Sequence, residues 1–249
     1  MMTFLIMIIA IIAGSAVSLV GGVLLFRFKR YRNKAILLTM PFGAGALLAA
    51  AFFDLLPETF KLIQWRTGLL FCLIGFIIFF LLERFAGWFH HHHEHQEDRR
   101  NVHQRVLIVI GDLFHNMIDG VAIGAAFIVS VPTGIITTLA VSTHEIPKEL
   151  GTFAMLMDRG WKNKTVLLAN VATAIGTVTM AIIVYSIGHS ISSLIGPALA
   201  LTSGFFVYVA ASDIIPDIHE QPRNIGTAQA GMLVLGVIIV GTVVSLLGV

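Results

Sequence analysis

Apolar residues run in long blocks along this chain, and polar ones are confined to the gaps between blocks and to two narrow stripes. The blocks lie at roughly 4–26, 35–56, 68–88, 106–129, 133–157, 165–188, 192–214 and 226–248, and each approaches the ~20 residues a helix needs to cross a bilayer. The gaps are basic or contain Gly and Pro: Arg27 to Lys34, Pro57 to Arg66, Val131-Pro132, Asp158 to Lys164 and Pro216 to Arg223. Lipid offers no partner to a backbone amide, so blocks of this length must satisfy their own hydrogen bonds as helices. The pattern predicts an all-α polytopic membrane protein with eight transmembrane helices. It forms a single unit over 1–249, with the segment 89–105 as a loop inside it.

Composition supports this class. The chain is 57% hydrophobic and 12% charged, about half the charge of an ordinary soluble domain. Residues 4–26 are too long for a signal-peptide core and read as a retained first helix. A net charge of +2 gives no reason to expect nucleic acid as a partner. The lone cysteine, Cys72, excludes an intrachain disulfide and a cysteine-rich metal site. Of the 16 Lys and Arg, all but Lys61, Arg66 and Lys148 fall in one set of alternate gaps. The positive-inside rule places that set in the cytoplasm, in a cell (inner or plasma) membrane, with both ends of the chain outside.

The chain also repeats itself. GALLAAAFFDLLPE (45–58) and GFFVYVAASDIIPD (204–217) align Gly45, Asp54, Pro57 and Glu58 with Gly204, Asp213, Pro216 and Asp217 at a constant offset of 159. The second and seventh spans run in opposite directions. Helices 1–3 and 6–8 are therefore expected to form an inverted repeat around a central pair, an architecture of secondary transporters.

That central pair carries the polar stripes. His115, Asn116 and Asp119 are three and four residues apart and share a helix face, and His144, Glu145, Lys148 and Glu149 follow in the next helix. Ionisable groups at membrane depth are costly and mark an ion or substrate pathway. Imidazole with carboxylate suits Zn²⁺, Fe²⁺ or Mn²⁺. His115 and Asp119 are placed to clasp one ion, met by His144 and Glu145 from the other helix. Pro147 has no N–H, which frees the Thr143 carbonyl beside them. Gly120 and Gly124 would let the fourth helix approach a neighbour closely. A purely structural polar network between two helices is the alternative, and it has no need of two His and three carboxylates.

HNMIDGVAIGAAF (115–127) and HEIPKELGTFAML (144–156) resemble the ZIP (Zrt/Irt-like) family of divalent-metal transporters. LLANVATAIG (167–176), the two repeated Asp-x-x-Pro-acid stretches and the His-rich loop extend the likeness over nearly the whole chain. The resemblance implies a metal site midway across the membrane, often binuclear in the family, with His115, Asn116, Asp119, His144 and Glu145 as ligands. It also implies movement of metal toward the cytoplasm. Two positions depart from the family pattern. Lys148 stands where a second His or another bridging ligand is common, and Thr152 stands where the family has Asp. A protonated Lys cannot ligate. Charge counting over Asp119, Glu145, Glu149 and Lys148 then favours one divalent ion, with Lys148 a tethered cation in place of the second and Glu145 its partner.

Other polar residues are weaker pathway candidates. Asn170 matches a family position and equally suits an interhelical hydrogen bond. Asp54, Glu58, Asp213 and Asp217 are expected at span ends, as entrance and exit linings or interfacial caps, and Asp112 as a cytoplasmic-side waypoint. His90, His91, His92, His93 and His95 form either a cytoplasmic metal-collecting loop or a solvated linker. The expected partners are divalent metal and the lipid bilayer, with a homodimer as one arrangement and no organic cofactor. Zn²⁺ leads, with Fe²⁺, Mn²⁺ and Cd²⁺ open to the same ligands. An intramembrane zinc hydrolase is the enzymatic alternative, but His144-Glu145-Ile146-Pro147-Lys148 lacks the second His of H-E-x-x-H. A metal sensor would need an output domain that these residues do not contain.

Overall fold

The computed structural model describes residues 2–27, 29–91, 97–158, 160–188, 190 and 192–247. It leaves out the side chains of 21–36, 83, 85–104, 107, 147, 150, 151, 154, 155, 158, 192, 213, 214 and 217. The described residues contain helices and no strand. In chain order these are α1 (Met2–Arg27), α2 (Lys29–Ala49), a π-helical segment (Ala50–Leu55) and α3 (Leu56–Leu62). Next come α4 (Trp65–His91), α5 (Glu97–Val129), α6 (Val131–Asp158) and α7 (Asn163–Gly188). The last are α8 (Ile195–Val209), a second π segment (Ala210–Ile214), α9 (Ile215–Glu220) and α10 (Arg223–Leu247).

Seven of these helical runs are long and apolar enough to cross a membrane. The eighth expected span, 133–157, is present as the 28-residue α6 but is not among the seven. Its polar stripe of His144, Glu145, Lys148 and Glu149 makes it less apolar than the others. Several ends move outward from their expected positions. The α5 helix begins at Glu97 rather than near 106, so much of the expected 89–105 loop is helix. The run that starts with α2 continues through Pro57 to Leu62, where the sequence suggested a break. Between α5 and α6, Ser130 accepts the Thr133 amide at 3.1 Å, an N-cap that starts the second polar helix at once.

The repeat is visible in the backbone. Pro57 and Pro216 lack the N–H that would continue an α-helical ladder, and a π turn precedes each. The Leu56 amide donates to Ala51 O and the Ile215 amide to Ala210 O, pairs again related by 159 residues. The glycines obey the same symmetry. A Cβ on Gly45 would overlap the Leu233 carbonyl of α10, and one on Gly236 the Phe42 carbonyl of α2. A Cβ on Gly204 would overlap the Cys72 carbonyl of α4, and one on Gly75 the Leu201 carbonyl of α8. The α2–α10 and α4–α8 contacts are thus two copies of one close glycine-mediated crossing.

These pairs make one set of helices. The other set is α1 against α6 and α5 against α7, with α5 also against α6. Gly120 and Gly124 fulfil their expected role here, pressed on the Thr177 and Ala181 carbonyls of α7. The core running between the sets includes Leu47, Ala126, Phe127, Ile136 and Leu199, while Leu70, Leu73, Ile175 and Ile238 form part of an exposed apolar perimeter suited to lipid.

Candidate metal centre

Helical spacing sets His115 and Asp119 on one face of α5, and His144 and Glu145 on the facing side of α6. His115 Nε2 lies 3.7 Å and His144 Nε2 3.8 Å from the same oxygen, Asp119 Oδ2. The two imidazole Nε2 atoms are 3.2 Å apart. One ligand atom from each of His115, Asp119, His144 and Glu145 falls within 4.8 Å of the others. Asp119 Oδ2 is buried without a hydrogen-bond partner, a costly state for a carboxylate unless a cation completes it. His144 Nδ1 sits 3.3 Å from Ala140 O. Donation there fixes the tautomer that leaves Nε2 bare toward the cluster.

The surroundings hold this geometry. Phe79 of α4 meets His115 edge-on, its ring 5.7 Å away, and packs in turn on Tyr208 of α8. Gly43 of α2 crosses at His144, so close that a Cβ there would strike the His144 backbone and touch the Thr143 carbonyl. That carbonyl is the one Pro147 leaves without its helical donor.

Beside the cluster lies an ion-pair relay. Lys148 Nζ reaches Glu145 Oε1 at 2.5 Å and Asp112 Oδ1 at 3.0 Å. Asp112 Oδ2 accepts from Thr173 of α7 at 2.6 Å. Lys148 therefore takes Glu145, as its spacing suggested, and also Asp112, which its sequence position marked only as a waypoint. Glu149 accepts from Ser18 of α1 at 3.2 Å and lines the same small cavity as Glu145. The carboxylate in contact with Lys148 that the sequence-based charge count lacked is Asp112.

The remaining candidates are distributed as follows. Asn116 is buried but engaged elsewhere, donating to Asp112 O at 3.0 Å and accepting from Thr177 at 2.9 Å. With Ser18, Ser142, Glu145 and Glu149 it lines a cavity of about 10 Å³, room for about one water. Asn170 is buried on α7, outside the four-residue cluster. Asp54 is fully buried within the helical run instead of at a span end, near Thr133, and Glu58 one turn on pairs with Lys61. The side chains of Asp213, Asp217, His90 and His91, and all of His92, His93 and His95, lie outside the described residues. Ser18, Thr173, Phe79 and Gly43 escaped the sequence reading. Each contributes to the site from a distant segment through a residue type with no metal signature.

A bundle of apolar helices with a buried His/Asp/Glu cluster on two of them defines a polytopic membrane protein of the metal-handling class. The sequence profile of the ZIP zinc transporters matches residues 4–107 and 90–244, and the chain belongs to that family. Zinc transporter ZIP10 of Danio rerio is 35% identical over 130 residues, 52% of this chain and 15% of that protein. Zinc transporter ZIP6 of Homo sapiens is 37% identical over 131 residues, 52% of this chain and 17% of its own length. Zinc transporter ZIP4 of Homo sapiens is 42% identical over 110 residues, 44% of this chain and 17% of its own. The aligned stretch thus amounts to less than a fifth of each of these relatives.

Proposed function

We propose that this chain carries divalent transition-metal ions across a membrane toward the cytoplasm, with Zn²⁺ the leading substrate and Fe²⁺, Mn²⁺ and Cd²⁺ able to use the same ligands. The observation that carries the reading is the buried cluster of His115, Asp119, His144 and Glu145 on two facing helices. Two imidazoles and two carboxylates match the ligand preference of Zn²⁺. The relatives' names, all zinc transporters, favour the same ion. The buried and otherwise unmatched Asp119 Oδ2, set between two imidazoles, supports metal over structural glue. The chain acts as one transmembrane unit in the cell (inner or plasma) membrane, both its ends outside. The His-rich segment collects metal on the cytoplasmic face, and a homodimer is the arrangement we propose for the bilayer. Glu58 on α3 and Asn170 on α7 are further pathway candidates.

Reconstitution into liposomes with a metal-sensitive dye inside, and a panel of ions outside, tests this reading. Saturable Zn²⁺ entry by the wild-type chain, absent with Asp119→Ala, is the expected result. Folded protein that passes no divalent ion would refute it. The zinc-hydrolase alternative has less support, since Lys148 holds two carboxylates at the place where H-E-x-x-H would need a ligand.

A further inference from the structure

We propose that the Lys148 ammonium is a built-in second cation of the metal centre, fixed to α6, and that it restricts the cluster to a single divalent ion. This rests on the cluster being a metal site, and its test reads binding rather than flux.

Position is the first argument. Lys148 Nζ lies between carboxylates of two helices, 2.5 Å from Glu145 and 3.0 Å from Asp112. That is where a second metal bridging α5 and α6 would draw its ligands. Glu145 belongs to both constellations, since it also supplies an atom to the four-ligand cluster. It is therefore the bridge between the ion that exchanges and the cation that stays. Charge is the second argument. The carboxylates touching Lys148 or forming the cluster are Asp112, Asp119 and Glu145. Among the groups in direct contact, one ammonium and three carboxylates leave two negative charges, which one divalent ion neutralises. A second divalent ion would have to sit against the ammonium in a low-dielectric interior, where like charges repel strongly. Support from α7 is the third. Thr173 donates to Asp112 Oδ2 at 2.6 Å, which holds the carboxylate in place for the ammonium. The fixed cation also has a use. It weakens binding of the exchanging ion enough to let it leave, as a pathway site requires.

The test uses the full chain purified in detergent, with His90–His95 changed to Ser so that only internal sites are counted. Stripped protein is equilibrated with Zn²⁺, and bound metal is measured by elemental analysis and calorimetry. Wild type should hold about one Zn²⁺ per chain, and Lys148→Glu or Lys148→His about two. Lys148→Met removes the charge without adding a ligand, so the ratio should stay near one while Zn²⁺ binds at least about tenfold tighter. A wild-type ratio of two would overturn the proposal. So would Lys148→Glu and Lys148→His variants, folded as judged by monodispersity, that still hold one. If neither variant folds, the wild-type ratio and the Lys148→Met affinity decide the matter. Wild-type Zn²⁺ that survives Asp119→Ala would instead strike at the metal-centre reading. One bound ion with no flux would count only against transport.

Discussion

Asp119 is the residue on which the centre turns, because one of its oxygens faces both imidazoles and is buried without any other partner. Asp119→Ala removes a ligand and the negative charge that makes a dication tolerable in hydrocarbon. Zn²⁺ affinity should fall at least about 100-fold, the upper end of what even an outer-shell partner is worth. Isothermal titration of the purified variant measures this, and near wild-type affinity would dismiss Asp119 as a ligand. Gly43 gives a subtler prediction. A methyl at this position strikes the His144 backbone, so Gly43→Ala should shift that imidazole and lower Zn²⁺ affinity about tenfold or more, since small misplacements at a preorganised site carry large costs. Unchanged affinity would mean that α2 gives way instead. The contrast between these residues marks what was legible in the sequence. His115, Asp119, His144 and Glu145 stood out because imidazoles and carboxylates at membrane depth are chemically distinctive, and helical spacing brings them together as expected. Gly43, Ser18 and Thr173 did not. A glycine at a crossing or a hydroxyl on a carboxylate looks like any other small residue until the tertiary pairing is known, and Ser18 lies 131 residues from its partner Glu149.

At the scale of elements, two repeat-related crossings hold one set of helices together, α2 on α10 and α4 on α8. Lipid tails are as apolar as leucine, so these contacts depend on close packing instead of water expulsion. Gly45, Gly236, Gly75 and Gly204 allow it by letting backbone touch backbone. Gly45→Val and Gly204→Val should therefore each destabilise the fold by about 3 kcal/mol or more, at or above the upper end for overpacking, because backbone atoms cannot yield as a side chain can. Gly111 is the control, since a Cβ there meets nothing within 4 Å, and Gly111→Ala should leave the melting temperature in detergent unchanged. Equal melting for all three variants would contradict the close crossings. The repeated sequence announced this symmetry through Gly45/Gly204 and Pro57/Pro216. It did not announce the π turns, because an apolar block ending in Pro is read by default as a helix stop. Here the chain absorbs the proline by widening one turn and continuing to Leu62.

For the whole molecule, the two sets of helices meet where Gly43 of α2 and Phe79 of α4 touch His144 and His115, so the candidate centre sits at the seam between them. The sequence showed the repeat and the central pair but not this seam, since hydrophobic blocks carry no record of which neighbours they choose. The seam bears on the His-rich segment, which joins α4 of one set to α5 of the other. From Glu97, the first residue of α5, to His115 the helix runs without interruption, a separation of about 27 Å at 1.5 Å per residue. The histidines of 90–95 are expected from the sequence to act outside the candidate centre on α5 and α6, and replacement tests this. Replacing His90, His91, His92, His93 and His95 with Ser, and keeping Glu94, preserves the length of the connection between the sets and removes only the imidazoles. Maximal Zn²⁺ flux into liposomes should then stay within about twofold of wild type, as expected for a solvent-exposed change away from the site. Low-affinity Zn²⁺ binding to the purified chain should drop at the same time. Abolished flux in a folded replacement would make the segment part of the conduction path.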